Sequence, residues 1–230
     1  MALYAIADLH LSLGCNKPMD VFPGWHGYVD RLKQHWLETV SEKDIVVIAG
    51  DVSWGMSLNQ ALADFQFLET LPGRKLLLKG NHDYWWETRR KMDLFFEQHQ
   101  LNSITVVHND CYPLGDGRAV CGTRGWFYDA EADTDKKILN REIGRLQMSV
   151  KAAVEQGYEP IVFLHYPPFY AGATCEEMMN ALKELGITTC YYGHIHGRTA
   201  IQKAANGVVN GISLKLISGD ALQFMPLLIP

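Results

Sequence analysis

Five short polar clusters punctuate this chain, and each follows an apolar run: Asp8-Leu9-His10, Gly50-Asp51, Gly80-Asn81-His82-Asp83, His165 and Gly193-His194-Ile195-His196. Carboxylate, imidazole and amide oxygen together suit divalent or trivalent first-row ions such as manganese, iron or zinc. Asp8 and His10 stand two apart at an expected strand end, where period-two geometry turns both to one side, and His194 and His196 repeat that spacing. Each pair can pinch a metal. Asp8, His10, Asp51, Asn81, His165, His194 and His196 exceed the roughly four to six positions that one ion offers once substrate and water are included. Two ions are therefore expected, with Asp51 as the natural bridge.

Two ions about 3.5–4 Å apart lower the pKa of a shared water and hold two phosphoryl oxygens through an in-line displacement. Phosphate ester hydrolysis, by attack of the hydroxide so formed, is the expected reaction. On extended backbone His82 cannot face the same way as Asn81, so it is assigned to the substrate. There it neutralises the oxyanion or protonates the leaving alkoxide, with Asp83 fixing its tautomer. Arg124 lies in Gly122-Thr123-Arg124-Gly125-Trp126, where the glycines let a loop approach a ligand, and it is the candidate phosphate clamp; a surface salt bridge is an equally open reading. Trp54, Tyr84, Trp85, Trp86 and Trp126 either wall a cleft or, the favoured reading, pack beneath the loops.

A lone Asp, Asn or His is more often a cap, a turn or a satisfied surface group than a ligand. His26, His35, His99 and His108 belong to no cluster and keep that reading. So do Lys136, Lys137, Arg141, Glu142 and Arg145, which read as one exposed, ion-paired helix face. Five strand ends carrying metal-compatible groups together are a different matter, because each would have to do so by accident.

The elements that must position these groups follow from periodicity. Strands are expected at Leu3 to Ala7, Ile45 to Ala49, Lys75 to Lys79, Ile161 to Leu164 and Thr188 to Tyr192. Between them, Val29, Leu32, Trp36, Leu37 and Val40, and then Leu58, Ala61, Leu62, Phe65 and Leu68, recur at helical spacing. Further helices are expected over Trp86 to Gln98, Asp135 to Gln156 and Cys175 to Leu185, the last stopped by Gly186. Ile104 to Val107, Arg118 to Cys121 and segments after Gly207 read as additional strands, and Asn109 to Gly117 as a turn or loop. Strands alternating with helices make a layered α/β domain, in which the carboxyl ends of strands face the ligand crevice.

With 230 residues, 47% of them hydrophobic, and no run of roughly 18 uninterrupted apolar residues, one domain spanning residues 1–230 is expected, without a membrane segment. A net charge of −5 argues against a surface that grips long nucleic acid by phosphate neutralisation, and leaves small anionic substrates open. No stable nucleic-acid partner is expected. The N-terminus lacks the features of a secretory signal, and five widely spaced cysteines form no Cys-x-x-Cys pair, so reduced thiols in a cytoplasmic protein are expected.

Taken together, the clusters resemble the calcineurin-like metallophosphoesterase superfamily, with its Asp-x-His, Gly-Asp, Gly-Asn-His-Asp/Glu, lone His and Gly-His-x-His blocks. All five occur here in order, from Asp8 to His196. The resemblance implies a four-layer α/β/β/α sandwich with mixed sheets and a binuclear centre. It implies that Asp8, His10 and His196 hold one metal, that Asn81, His165 and His194 hold the other, and that Asp51 bridges them. After Asp51, Val52-Ser53-Trp54-Gly55 departs from the common pattern and lacks the arginine of Ser/Thr protein phosphatases, which disfavours that branch. The chain looks closest to uncharacterised bacterial predicted phosphohydrolases. A phosphodiesterase or phosphomonoesterase for a small phosphorylated molecule such as a nucleotide is expected, with a non-catalytic scaffold and a nuclease as the alternatives. The loops Cys15 to Trp25, Trp126 to Asp135 and Tyr166 to Thr174 are expected to recognise the substrate.

Overall fold

The computed structural model describes residues 1–126 and 133–230. The chain divides into two compact units, one formed by Met1–Val106 with Ile217–Pro230 and the other by Val107–Leu216.

The first unit runs β1 (Leu3–Ile6), α1 (Tyr28–Thr39), β2 (Ile45–Ala49), α2 (Leu58–Glu69), β3 (Arg74–Leu78), α3 (Arg89–Gln98) and β4 (Ile104–Val106). Its sheet has the order C-terminal strand Leu227–Ile229, β1, β2, β3, β4; the terminal strand is antiparallel and the other pairings are parallel. β2 reads Ile-Val-Val-Ile-Ala and is buried at every position, the pattern of a parallel strand covered on both faces. Leu32 and Trp36 from α1, Ala61, Phe65 and Leu68 from α2, and Met92 and Phe96 from α3 join one hydrophobic cluster with Ile6, Val46, Ile48, Leu77 and Phe224. Each such Leu, Ile or Phe contributes roughly 1.5–3 kcal/mol by leaving water.

Ser57 and Thr88 take extended backbone and accept from the amides of Gln60 and Lys91, capping α2 and α3. That cap corrects the expected helix over Trp86 to Gln98. Trp86 closes a turn onto the Asp83 carbonyl at 3.2 Å, and the helix proper begins only at Arg89.

The second unit contains β5 (Tyr112–Pro113), β6 (Arg118–Thr123), α4 (Asp133–Glu155), β7 (Glu159–Leu164), β8 (Phe169–Tyr170), β9 (Ala173–Thr174), α5 (Glu176–Glu184), β10 (Thr189–Tyr192), α6 (Arg198–Ile201), β11 (Gly207–Val209) and β12 (Ile212–Leu216). Its sheet has the order β11-β12-β10-β7-β6-β5, parallel through β12, β10, β7 and β6 and antiparallel at both edges. Leu139, Leu146, Val150 and Ala153 form the buried stripe of α4, which packs on β6 and β7. β5 lies inside the expected Asn109 to Gly117 loop, and the β8–β9 hairpin has no counterpart in the sequence pattern, since two-residue strands carry no readable period. Both units are mixed α/β, as the pattern of strands and helices predicts. The expected recognition loop Trp126 to Asp135 lies largely outside the described residues.

Candidate metal and phosphoester site

β1, β2 and β3 are adjacent and parallel, so Asp8 and His10, Asp51, and Asn81 to Asp83 all follow the carboxyl ends of neighbouring strands. The ladder does not stop with the strands. Asp8 N–H donates to Gly50 O at 2.9 Å, His10 N–H to Asp51 O at 2.9 Å and Leu11 N–H to Val52 O at 3.0 Å, and Trp54 N–H returns to Leu11 O at 2.8 Å. Within this continuation Asp8, His10 and Asp51 have φ of 60°, 45° and 52°. The physical basis expected for the Asp8/His10 pair is thereby corrected: left-handed turns, and not extended period-two backbone, present these side chains. Such conformations cost about 1–3 kcal/mol each and persist where surrounding bonds over-determine them. The doubled ladder supplies those bonds.

Gly80 is required by close approach, because a Cβ there would collide with the backbone nitrogen and Oδ1 of Asp51. The Asp83 carboxylate, 1% exposed, sits at the centre of this packing. Its Oδ2 accepts from Asp51 N–H at 2.9 Å and Gly80 N–H at 2.7 Å, and its Oδ1 from Val52 N–H at 2.9 Å and the Trp85 indole at 2.9 Å. Asp83 therefore shapes the turn that carries Asp51, a role its expected place behind the His82 ring did not include.

Asp51 Oδ1 accepts from the His82 backbone N–H at 2.7 Å, and Asp51 Oδ2 lies 3.7 Å from His10 Nε2. Carboxylate and imidazole at that separation can both bind one ion through bonds of roughly 2.0–2.2 Å. Asp8, His10 and Asp51 are buried, and buried carboxylates need compensating charge or hydrogen bonds. On donor chemistry and burial, this half of the expected ligand set fits a metal.

The aromatic residues divide. Trp85 is core, edge-on to Phe65 at 4.8 Å between centroids, and Trp86 packs against the same cluster, as the favoured reading holds. Trp54 packs against that cluster as well, and it also stacks on His10 at 4.9 Å and lies 4.4 Å from the His82 ring, while Tyr84 is exposed and edge-on to His82 at 6.1 Å. These two rings lie beside His10 and His82.

In the second unit, Arg124, His165 and His194 follow the carboxyl ends of β6, β7 and β10, three neighbouring parallel strands. Arg124 O accepts from His165 N–H at 3.2 Å and Tyr166 N–H at 2.8 Å, and His165 O accepts from Gly193 N–H at 3.1 Å. His165 is fully buried, its ring 5.2 Å from that of His194, whose φ of 73° is again left-handed. His196 follows two residues later and is half-buried.

Arg124 is held by an ion pair to Glu142 at 3.3 Å and lies over the Trp126 ring at 4.6 Å from its centroid. Glu142 corrects the expected exposed face of α4: it is fully buried, accepting from the Thr123 hydroxyl at 2.5 Å and from Arg145 at 2.7 Å. Its place beside the buried Leu139 and Leu146 was the available signal. Asp64 was missed for the same reason. It is a carboxylate on the apolar stripe of α2, fully buried, and receives the Leu13 N–H at 2.7 Å and the Ser53 hydroxyl.

No helix among the described residues is long and apolar enough to cross a membrane. Residues 1–198 match the family model of the calcineurin-like phosphoesterases. The chain is 31% identical to the uncharacterized protein MJ1445 of Methanocaldococcus jannaschii over 165 residues, 69% of this chain and 85% of that one. Similar solved structures include a phosphopantetheinyl hydrolase, PptH, from Mycobacterium tuberculosis (TM-score 0.55, 14% identity, 99% of this chain and 95% of that one). Another is TT1561 of Thermus thermophilus (TM-score 0.54, 16% identity, 85% and 82%). At these identities the structures speak for the fold alone. With the ordered blocks, the strand-end placement of their side chains and a family match over residues 1–198, the chain belongs to the calcineurin-like phosphoesterases, metal-dependent hydrolases of phosphate esters.

Proposed function

We propose that this phosphoesterase hydrolyses a phosphodiester or phosphomonoester of a small molecule such as a nucleotide, using two metal ions. In this reading, which follows the family's motif blocks, Asp8, His10 and His196 act on one ion, Asn81, His165 and His194 act on the other, and Asp51 bridges them. Manganese, iron and zinc all suit that mixture of oxygen and nitrogen donors. When bound, the ions would activate a water and neutralise phosphoryl oxygens.

The observation that carries the reading is the buried His10–Asp51 pair at 3.7 Å, with the His82 ring 5.7 Å from His10. In this reading His10 and Asp51 are ligands and the His82 imidazole stays off the metals. In the proposal the His82 ring donates a proton to the leaving oxygen or stabilises charge on the phosphoryl group, while its backbone N–H binds the Asp51 carboxylate. Asp83 locks the turn beneath, and Trp54 stacks on the His10 ring and meets the His82 ring at a tilt. Arg124, already ion-paired to Glu142, serves as the phosphate contact in this proposal.

The net charge of −5 supports a small substrate over stable nucleic-acid binding, and five unbridged thiols suit a cytoplasmic setting. The test is a panel of aryl phosphomonoesters, aryl phosphodiesters, nucleotides and a phosphopantetheinyl ester, each assayed with manganese, iron or zinc. Metal-dependent turnover of a small ester is expected. No metal-dependent hydrolysis of any of them would overturn the reading in favour of a scaffold.

A further inference from the structure

Two turns bearing expected ligands, Asp8 to Gly14 and Asp51 to Gly55, lie against the first half of α2. The contact is close: a Cβ on Gly14 would collide with Gln60 O, and one on Gly55 would lie 2.6 Å from Ala61 N. Asp64, on the same face of the helix and one turn beyond Gln60, ties the two turns together. One oxygen accepts Leu13 N–H at 2.7 Å, and the other accepts the Ser53 hydroxyl. Ser53 Oγ in turn accepts Gly55 N–H at 3.0 Å, and Leu11 and Ser53 form a parallel bridge between the turns.

A carboxylate is poorly placed on an apolar helix stripe if packing is its only purpose. Asp64 is fully buried, and burial pushes its carboxyl up to about 6, against the opposing pull of the Ser53 and Leu13 hydrogen bonds. Its two oxygens bind one donor from each turn.

We propose that Asp64 is a positioning residue for the phosphoesterase site: it clamps the Asp8/His10 turn to the Asp51 turn through Leu13 and Ser53, fixing the spacing of those ligands. This rests on the reading of Asp8, His10 and Asp51 as ligands. Left-handed backbone at all three leaves each side chain dependent on its turn, and a displacement on the order of 1 Å can cost about 10²-fold in rate.

The test compares Asp64→Ala, Asp64→Asn and Ser53→Ala with Asp44→Asn in the full chain. Asp44 is a remote carboxylate in the same unit that accepts from Ala2 and Ser41. Manganese affinity is measured by calorimetric titration of metal-free protein, and kcat and KM at saturating manganese. Asp64→Ala should lose about 10-fold or more in both kcat and manganese affinity with KM within about 2-fold. Asp64→Asn, which still accepts from Leu13, should recover most of kcat, and Asp44→Asn should lower thermal stability alone. A folded Asp64→Ala protein with wild-type kcat and manganese affinity overturns the clamp. Should that variant not fold, Ser53→Ala decides, since it removes one arm and leaves the carboxylate: a fall in kcat at constant KM supports the clamp, and wild-type kcat refutes it. The ligand reading fails separately, if Asp51→Asn leaves manganese affinity unchanged whatever the Asp64 variants do.

Discussion

The carboxylate of Asp83 holds the backbone of Asp51: its Oδ2 accepts the Asp51 N–H at 2.9 Å while its Oδ1 accepts that of the next residue, Val52. Thirty-two positions apart in the chain, the two acids meet because β2 and β3 are neighbours and Gly80 carries no side chain. Asp83 thus sets the left-handed turn that presents Asp51.

Replacing Asp83 by Asn puts an amide N–H₂ where an oxygen accepted backbone donors, leaving at least one buried N–H unsatisfied. Asp83→Asn should lose about 2–4 kcal/mol of stability in urea unfolding and should weaken metal binding with it. Unchanged stability with weakened metal binding would place Asp83 among the ligands instead.

His82 contributes its backbone N–H to Asp51, and its ring lies 4.4 Å from that of Trp54; the proposed function gives that ring the acid or oxyanion role. Since His82→Ala keeps the backbone donor, it should retain metal while lowering kcat by about 10²–10⁴-fold. Elemental analysis beside steady-state kinetics checks this; loss of metal would make His82 a ligand.

Lys75 is fully buried on β3, donating to Leu71 O and, at 3.0 Å, to Ser103 Oγ. Burial lowers its ammonium from 10.5 to about 8, against the attraction of Glu69 and Glu42. Between those values the unfolded chain binds the proton and the native chain does not, so this group makes stability rise with pH from about 8 toward 10.5. Unfolding free energies of wild type and Lys75→Met, compared at pH 7.5 and 9.5, should differ by about 1–2 kcal/mol more in favour of wild type at the higher pH. A pH-independent difference would mean that Lys75 is not shifted.

The polar clusters were legible because parallel strands buried on both faces read as apolar runs, so Asp8, Asp51, Asn81 and His165 stand out at their ends. Turn conformation was not legible. Two residues apart on extended backbone and two residues apart through left-handed turns give the same sequence, Asp8-Leu9-His10. Nor were the long-range partners of buried acids: Glu142 sits in a charged run that reads as solvated, and Asp64 interrupts a helix stripe by a single residue. In both cases the deciding partners, Thr123 and Ser53, lie on other elements.

The most direct test is the metal content of the purified, metal-reconstituted chain beside that of Asp51→Asn, with hydrolysis of an aryl phosphodiester measured on the same samples. Two ions per wild-type chain, and a joint fall in metal and turnover in the variant, are expected. An Asp51→Asn protein that keeps both ions and full turnover would contradict the bridging role proposed for Asp51.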